Sequence, residues 1–193
     1  MRDYISGLRL FIVMSVLTGI LYPLAITGVA KCIFSDKAQG SLIIVNGVVR
    51  GSTLIGQAFT NPAYFQSRPS ATGYSTLPSC GSNVNVAGTV LRDSVAAREY
   101  AFRQKYHIAQ DKPVPGDMLF ASGSGLDPHI SPEAAYMQIA TIVAARGLSS
   151  EQQKTLEAAV EKFIEKRQFG ILGEPRIAVV PLNLFLDKKF GRR

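Results

Sequence analysis

Residues 10–30 form a run of 21 without a formal charge, between Arg9 and Lys31. As a helix at ~1.5 Å per residue the run is about 32 Å long, which matches the hydrocarbon thickness of a bilayer and exceeds an ordinary core helix. It is longer than the ~7–15 residues of a signal-peptide core, which favours a retained anchor over a leader cut near Gly28-Val29-Ala30. A lipoprotein reading fits less well, because Lys31 precedes Cys32 where a small residue is needed. The predicted organisation is a tail over residues 1–9, a transmembrane helix over 10–33 interrupted at Tyr22-Pro23, and a soluble domain over 34–193. Arg2 and Arg9 balance Lys31 and Lys37, so charge alone gives no orientation; signal-anchor logic puts the tail in the cytoplasm and the domain outside.

The soluble part is long enough for one domain with a real core. Its fold class is predicted to be α+β: a β-hairpin, about three helices and a C-terminal strand. Asn46-Gly47 between residues 42–45 and 48–50 is a hairpin signal, since both turn positions require positive φ. Residues 51–78 are rich in Gly, Pro, Ser and Thr yet carry Phe59, Tyr64, Phe65 and Tyr74, and are expected to form an ordered loop pinned by those rings. A helix is predicted over 86–105. Ser131 caps another with Pro132 at its first position and Ala135, Ile139, Ile142 and Val143 as its apolar stripe. Ser149 and Gln152 form a capping box for the next, striped by Leu156, Val160, Phe163 and Ile164. Residues 176–186 are β-branched and apolar, and Pro181 marks them as an edge strand or two short pieces.

The net charge is +7, from 21 basic and 14 acidic residues, but only the tail Lys188, Lys189, Arg192, Arg193 is dense in cations. Basic residues interleaved with aromatics on one face would indicate nucleic acid; that pattern is missing, and attraction to the lipid bilayer explains the charge more simply. No phosphate-binding G-x-x-x-x-G-K-[ST] loop is present, and Asp187-Lys188-Lys189 lacks the sequence of a P-type phosphorylation site. Cys32 and Cys80 have no metal-ligand spacing, and no metal site is expected.

The richest polar cluster runs from residue 121 to 131, with Ser122, Gly123, Ser124, Gly125, Asp127 and His129. A membrane-anchored hydrolase using Ser124 and His129 is one reading. Against it, Asp127 and His129 flank a proline, which disfavours an orienting bond to the imidazole, and no G-x-S-x-G elbow occurs. The competing reading is a turn in which the glycines supply unusual φ/ψ and Asp127 makes an Asx-turn. Gln57, Arg68 and Gln138 stand out as polar residues among apolar or turn neighbours. Arg68 is expected to lock its own loop through backbone carbonyls, with a carboxylate or phosphate as the alternative partner.

Five strings, GSTLIGQAFTNPAYFQSRPSATGY at 51–74, CGSN at 80–83, ASGSGLDPHISPEAA at 121–135, ARGL at 145–148 and GEPRIAVVPLNLFLD at 173–187, resemble C subunits of Kdp-type potassium-transporting ATPases. The resemblance implies a single-pass subunit of a bacterial inner-membrane complex with its soluble domain outside the cytoplasm. The implied partners are a potassium-selective channel-like subunit, a P-type ATPase subunit and a small membrane subunit. ATP and potassium are then handled by the complex, with no cofactor bound by this chain, which serves assembly and acts as a catalytic chaperone raising the ATP affinity of the ATPase subunit. Gln138 resembles the family's candidate nucleotide-contacting glutamine; the residue reading instead turns it toward the loop 122–125. Gln57, Arg68, Ser122, Gly123, Ser124, Gly125, Asp127 and His129 would be structural or partner-contacting. Cys80 stands where the family usually has glycine, and residues 84–89 lack its proline-containing stretch.

Overall fold

The computed structural model describes residues 2–192, which divide into two compact units at the Arg50–Gly51 boundary. In the first, helices α1 (Arg2–Val16) and α2 (Tyr22–Ile33) join through a π-helical turn, Leu17–Leu21. Together they make one 32-residue helix, long and apolar enough to cross a membrane, with no side chain of its apolar span buried. Pro23 explains the wide turn. A proline has no N–H for the carbonyl four residues back and its ring crowds that carbonyl, here Gly19. Widening the preceding turn relieves the clash, and the Tyr22 N–H reaches Leu17 O. Thr18 Oγ1 donates to Met14 O at 2.7 Å, so its hydroxyl is satisfied within the helix. The interruption expected at Tyr22-Pro23 therefore takes the form of a π turn in a continuous helix.

A short helix α3 (Ser35–Ala38) precedes the hairpin of β1 (Leu42–Val45) and β2 (Val48–Ser52). Asn46 and Gly47 have φ of 52° and 75°, as the two-residue turn demands.

The second unit contains α4 (Thr89–Tyr106), α5 (Gly116–Leu119), β3 (His129–Ile130), α6 (Pro132–Arg146), α7 (Ser150–Lys162), β4 (Ile177–Ala178) and α8 (Val179–Phe190). Both predicted caps form: Ser131 Oγ accepts from the Ala134 N–H, and Ser149 and Gln152 complete a capping box. Gly147 ends α6 in the left-handed region and turns the chain into α7, which packs against it. The core gathers Ile139 and Ile142 of α6, Leu156 and Val160 of α7, Phe102 and Tyr106 of α4, and Leu182 and Leu186 of α8 around Phe65.

Two boundaries differ from expectation. Helix α4 begins at Thr89 rather than residue 86, after a turn in which Asn85 accepts from the Ala87 and Gly88 N–H groups. The C-terminal strand is present but only as Ile177-Ala178, paired antiparallel with Ile130 and His129. From Val179 the chain is helical, a fourth long helix where a strand was expected. Pro181 lies in the first turn, where a missing N–H costs nothing, and Val179, Leu182, Asn183 and Leu186 are buried at helical spacing.

Candidate functional site

Between Ser52 and Thr89 the described chain forms no helix or strand, yet Ala63, Phe65 and Ser67 are buried in the domain. A buried loop needs partners for its backbone polar groups. Three long-range side chains provide them. Asn183 of α8 accepts from the Phe65 N–H and donates to Phe65 O, each at 2.8 Å. Gln138 of α6 accepts from the Gln66 N–H at 2.7 Å and donates to Gln66 O at 3.3 Å, and its Oε1 also accepts from Tyr106 OH at 3.3 Å. Two amides from two helices thus pair with consecutive residues in the way a neighbouring strand would.

Arg146, at the end of α6 and 3% exposed, completes the clamp. It donates to Ala63 O and Gly191 O at 2.7 Å and to Asp187 Oδ1 at 3.1 Å. Its guanidinium lies 4.7 Å from the Tyr64 ring centre, and Tyr64 OH donates to the same Asp187 oxygen at 2.7 Å. Side chains from α6 and α8 therefore converge on residues 63–66.

The outer part of the loop packs on the glycine-rich segment 121–129. Gly56 N–H donates to Leu126 O at 2.8 Å, Ser122 N–H to Pro69 O at 3.0 Å, and Ser79 Oγ to Ser124 O at 3.0 Å. Gly125 has φ of 72°, and a Cβ there would meet Thr72 Oγ1 at 2.7 Å and Cys80 O at 2.9 Å, so both backbone shape and close approach require glycine. Gly123 has open space around its Cβ position. Gly51 is covered by the Gln57 side chain, and Gln57 O accepts from Ser67 Oγ at 3.0 Å.

Arg68 corrects one expectation: its Nη1 donates to Asp127 Oδ2 at 2.8 Å rather than to carbonyls of its own loop, so it joins the two loops. Asp127 corrects another. Despite the intervening proline, Oδ1 accepts from the His129 N–H at 3.0 Å and lies 3.3 Å from His129 Nδ1. Pairing of His129 with Ala178 fixes the backbone after Pro128, which brings the imidazole back over the carboxylate. Burial pushes the Asp127 carboxyl up, but the His129 ring and N–H and the Arg68 guanidinium together outweigh it and bring it down to about 2.

An oriented imidazole alone does not make a hydrolase. Ser124 Oγ accepts from the Leu126 N–H at 3.1 Å and Ser122 is buried; no serine hydroxyl bonds to His129 among the described residues. No three His, Cys, Asp or Glu side chains converge as a metal site among the described residues, and both thiols are free and exposed.

Gln138 is fully buried and turned toward Gln66 rather than the loop 122–125, because the backbone of the buried segment supplies both a donor and an acceptor for its amide. Asp117 accepts from the Ser131 N–H at 2.6 Å and from Ser131 Oγ at 3.1 Å, reinforcing the cap of α6. Sequence reading missed Asn183, Arg146 and Asp187, whereas Tyr64 is one of the rings expected to pin the loop. The available signal was an amide and a guanidinium on otherwise buried helical stripes.

Comparison with known proteins adds an independent observation. The family model KdpC, "K+-transporting ATPase, c chain", matches residues 4–188. The chain is 46% identical over 192 residues to the potassium-transporting ATPase KdpC subunit of Rhodospirillum rubrum, covering 98% of this chain and 97% of that one. The KdpC subunits of Koribacter versatilis and Herpetosiphon aurantiacus are 44% and 45% identical over 188 and 185 residues, covering at least 94% of each chain in both comparisons.

Proposed function

The chain belongs to the KdpC family, and on that premise we propose that it is a membrane-tethered, non-catalytic accessory subunit of a potassium-transporting ATPase. The match that carries this reading takes in the apolar helix and the domain together, up to Asp187-Lys188. In this reading the helix lies in a bacterial inner membrane among the helices of the potassium-selective, ATPase and small subunits. The soluble domain faces outward and docks on the potassium-selective subunit.

The site geometry supports an accessory role over a catalytic one. Its polar side chains are spent on holding a loop, and His129 has no serine partner among the described residues. The subunit serves assembly and raises the ATP affinity of the P-type subunit. With the domain outside, that effect travels as a coupling free energy between conformations and not by contact with nucleotide. Gln138 then influences the pump through the loop it holds.

A topology reporter fused after Arg193 tests the reading. Alkaline phosphatase activity outside the cytoplasm is expected. A cytoplasmic carboxyl end would overturn the external docking and restore direct nucleotide contact as the explanation. The purified chain alone is expected to hydrolyse neither ATP nor ester substrates.

A further inference from the structure

One cleft of about 320 Å3 borders the clamp, sharing Gln66 and Tyr106 with it, and reaches Arg68, the partner of Asp127. Its walls are the loop 58–74 on one side and α4 on the other. Three cations line it, Arg68, Arg98 and Lys105, with no aspartate or glutamate among the lining residues. Of the Arg68 nitrogens Asp127 meets Nη1, and Arg98 spends Nη1 on Leu119 O at 2.9 Å. Phe59 and Phe102 add apolar wall.

Two of the lining residues carry an orphaned donor. Gln66 Nε2 and Arg68 Nε are buried and have no hydrogen-bond partner among the described residues. A buried donor without an acceptor is costly, and native proteins seldom leave two together without a ligand or other acceptor to meet them. Lys105 is held below its ordinary range because burial disfavours its charged form, so it too gains from an arriving anion.

We propose that this cleft binds a phosphate-type oxyanion, received by Gln66 Nε2 and Arg68 Nε from the loop and by Arg98 and Lys105 from α4. Donors on opposed walls suit an anion with acceptors pointing several ways; a planar carboxylate serves one fork. Free phosphate and a phospholipid headgroup are two sources with the same chemistry. The site stands independently of the subunit reading, since it rests on binding alone.

The test is calorimetric titration of the full chain, in nanodiscs of neutral phosphatidylcholine, with inorganic phosphate against chloride at equal ionic strength. Saturable phosphate binding is expected, weakened at least tenfold in both Lys105→Met and Gln66→Leu, with unchanged circular dichroism. Neither substitution touches the backbone bonds that Asn183 and Gln138 make. Repeating the titration with phosphatidylglycerol in the disc identifies the source: weaker apparent phosphate affinity shows headgroups competing for the cleft, and unchanged affinity shows a site for free phosphate. Absence of saturable binding above chloride, or undiminished binding in both variants, would overturn the proposal.

Discussion

Replacing Asn183 with leucine keeps the branched outline of a buried α8 side chain but strips both partners from Phe65. Phe65 is 0% exposed, so its N–H and C=O, each bonded at 2.8 Å, would then face leucine without a partner. An orphaned buried polar group costs about 1–3 kcal/mol, so two cost about 2–6 kcal/mol. At about 2–4 °C per kcal/mol for a domain of this size, the unfolding midpoint falls by at least about 4 °C. The assay is thermal unfolding of the full chain in detergent, followed by near-ultraviolet circular dichroism. Hydrogen exchange read on the peptide spanning Phe65 and Gln66 locates the effect. Faster exchange there, with α7 protected as before under native conditions, is expected. A midpoint within about 1 °C of the parent and unchanged exchange would refute the strand-like role assigned to the amide.

Arg146→Met should destabilise the domain by about 3–5 kcal/mol by chemical denaturation, because it breaks a buried ion pair and leaves two carbonyls without their donor. The exposed pair Arg167–Glu174 is the control, and Arg167→Ala should change stability by less than about 1 kcal/mol. Gly125→Ala should cost about 1–3 kcal/mol through its positive φ and close contacts, whereas Gly123→Ala, with open space around it, should stay within about 1 kcal/mol; paired unfolding curves decide. Asp127 has a folded pKa of about 2 against an ordinary 3.8, so its contribution to stability is fully present above the ordinary value and is lost as pH falls from about 4 through about 2. Asp127→Asn should flatten that acid limb in a pH series of unfolding midpoints, and an unaltered limb would count against the assignment.

Helices α6 and α7 were legible because their starts carry Ser131-Pro132 and the Ser149–Gln152 box, and their stripes repeat at helical spacing. The hairpin turn was legible for a similar local reason: Asn46-Gly47 can take two positive φ values in succession. Helix α8 was hidden because Val179, Val180 and Pro181 mimic a strand edge, although Val179, Leu182 and Leu186 already kept a helical period. The clamp was legible only in part: Gln138 and Tyr64 stand out in the sequence, but Asn183 and Gln138 meet partners 118 and 72 residues away. Nothing local marks an amide as the surrogate edge of a strand. The Asp127–His129 bond was misjudged because the two-residue pairing of β3 with β4, which sets the backbone angle after Pro128, is itself a long-range contact.

The claim that this chain assists a pump without chemistry of its own meets its most direct test in the ATP dependence of the assembled complex. Potassium-stimulated hydrolysis would be measured over a range of ATP concentrations, with the chain present and with it omitted. The account predicts that omission either prevents assembly or raises the ATP concentration needed for half-maximal activity several-fold, while the chain alone hydrolyses nothing. An intact complex with unchanged ATP dependence, or hydrolysis by the isolated chain that is lost in Ser124→Ala, would contradict it.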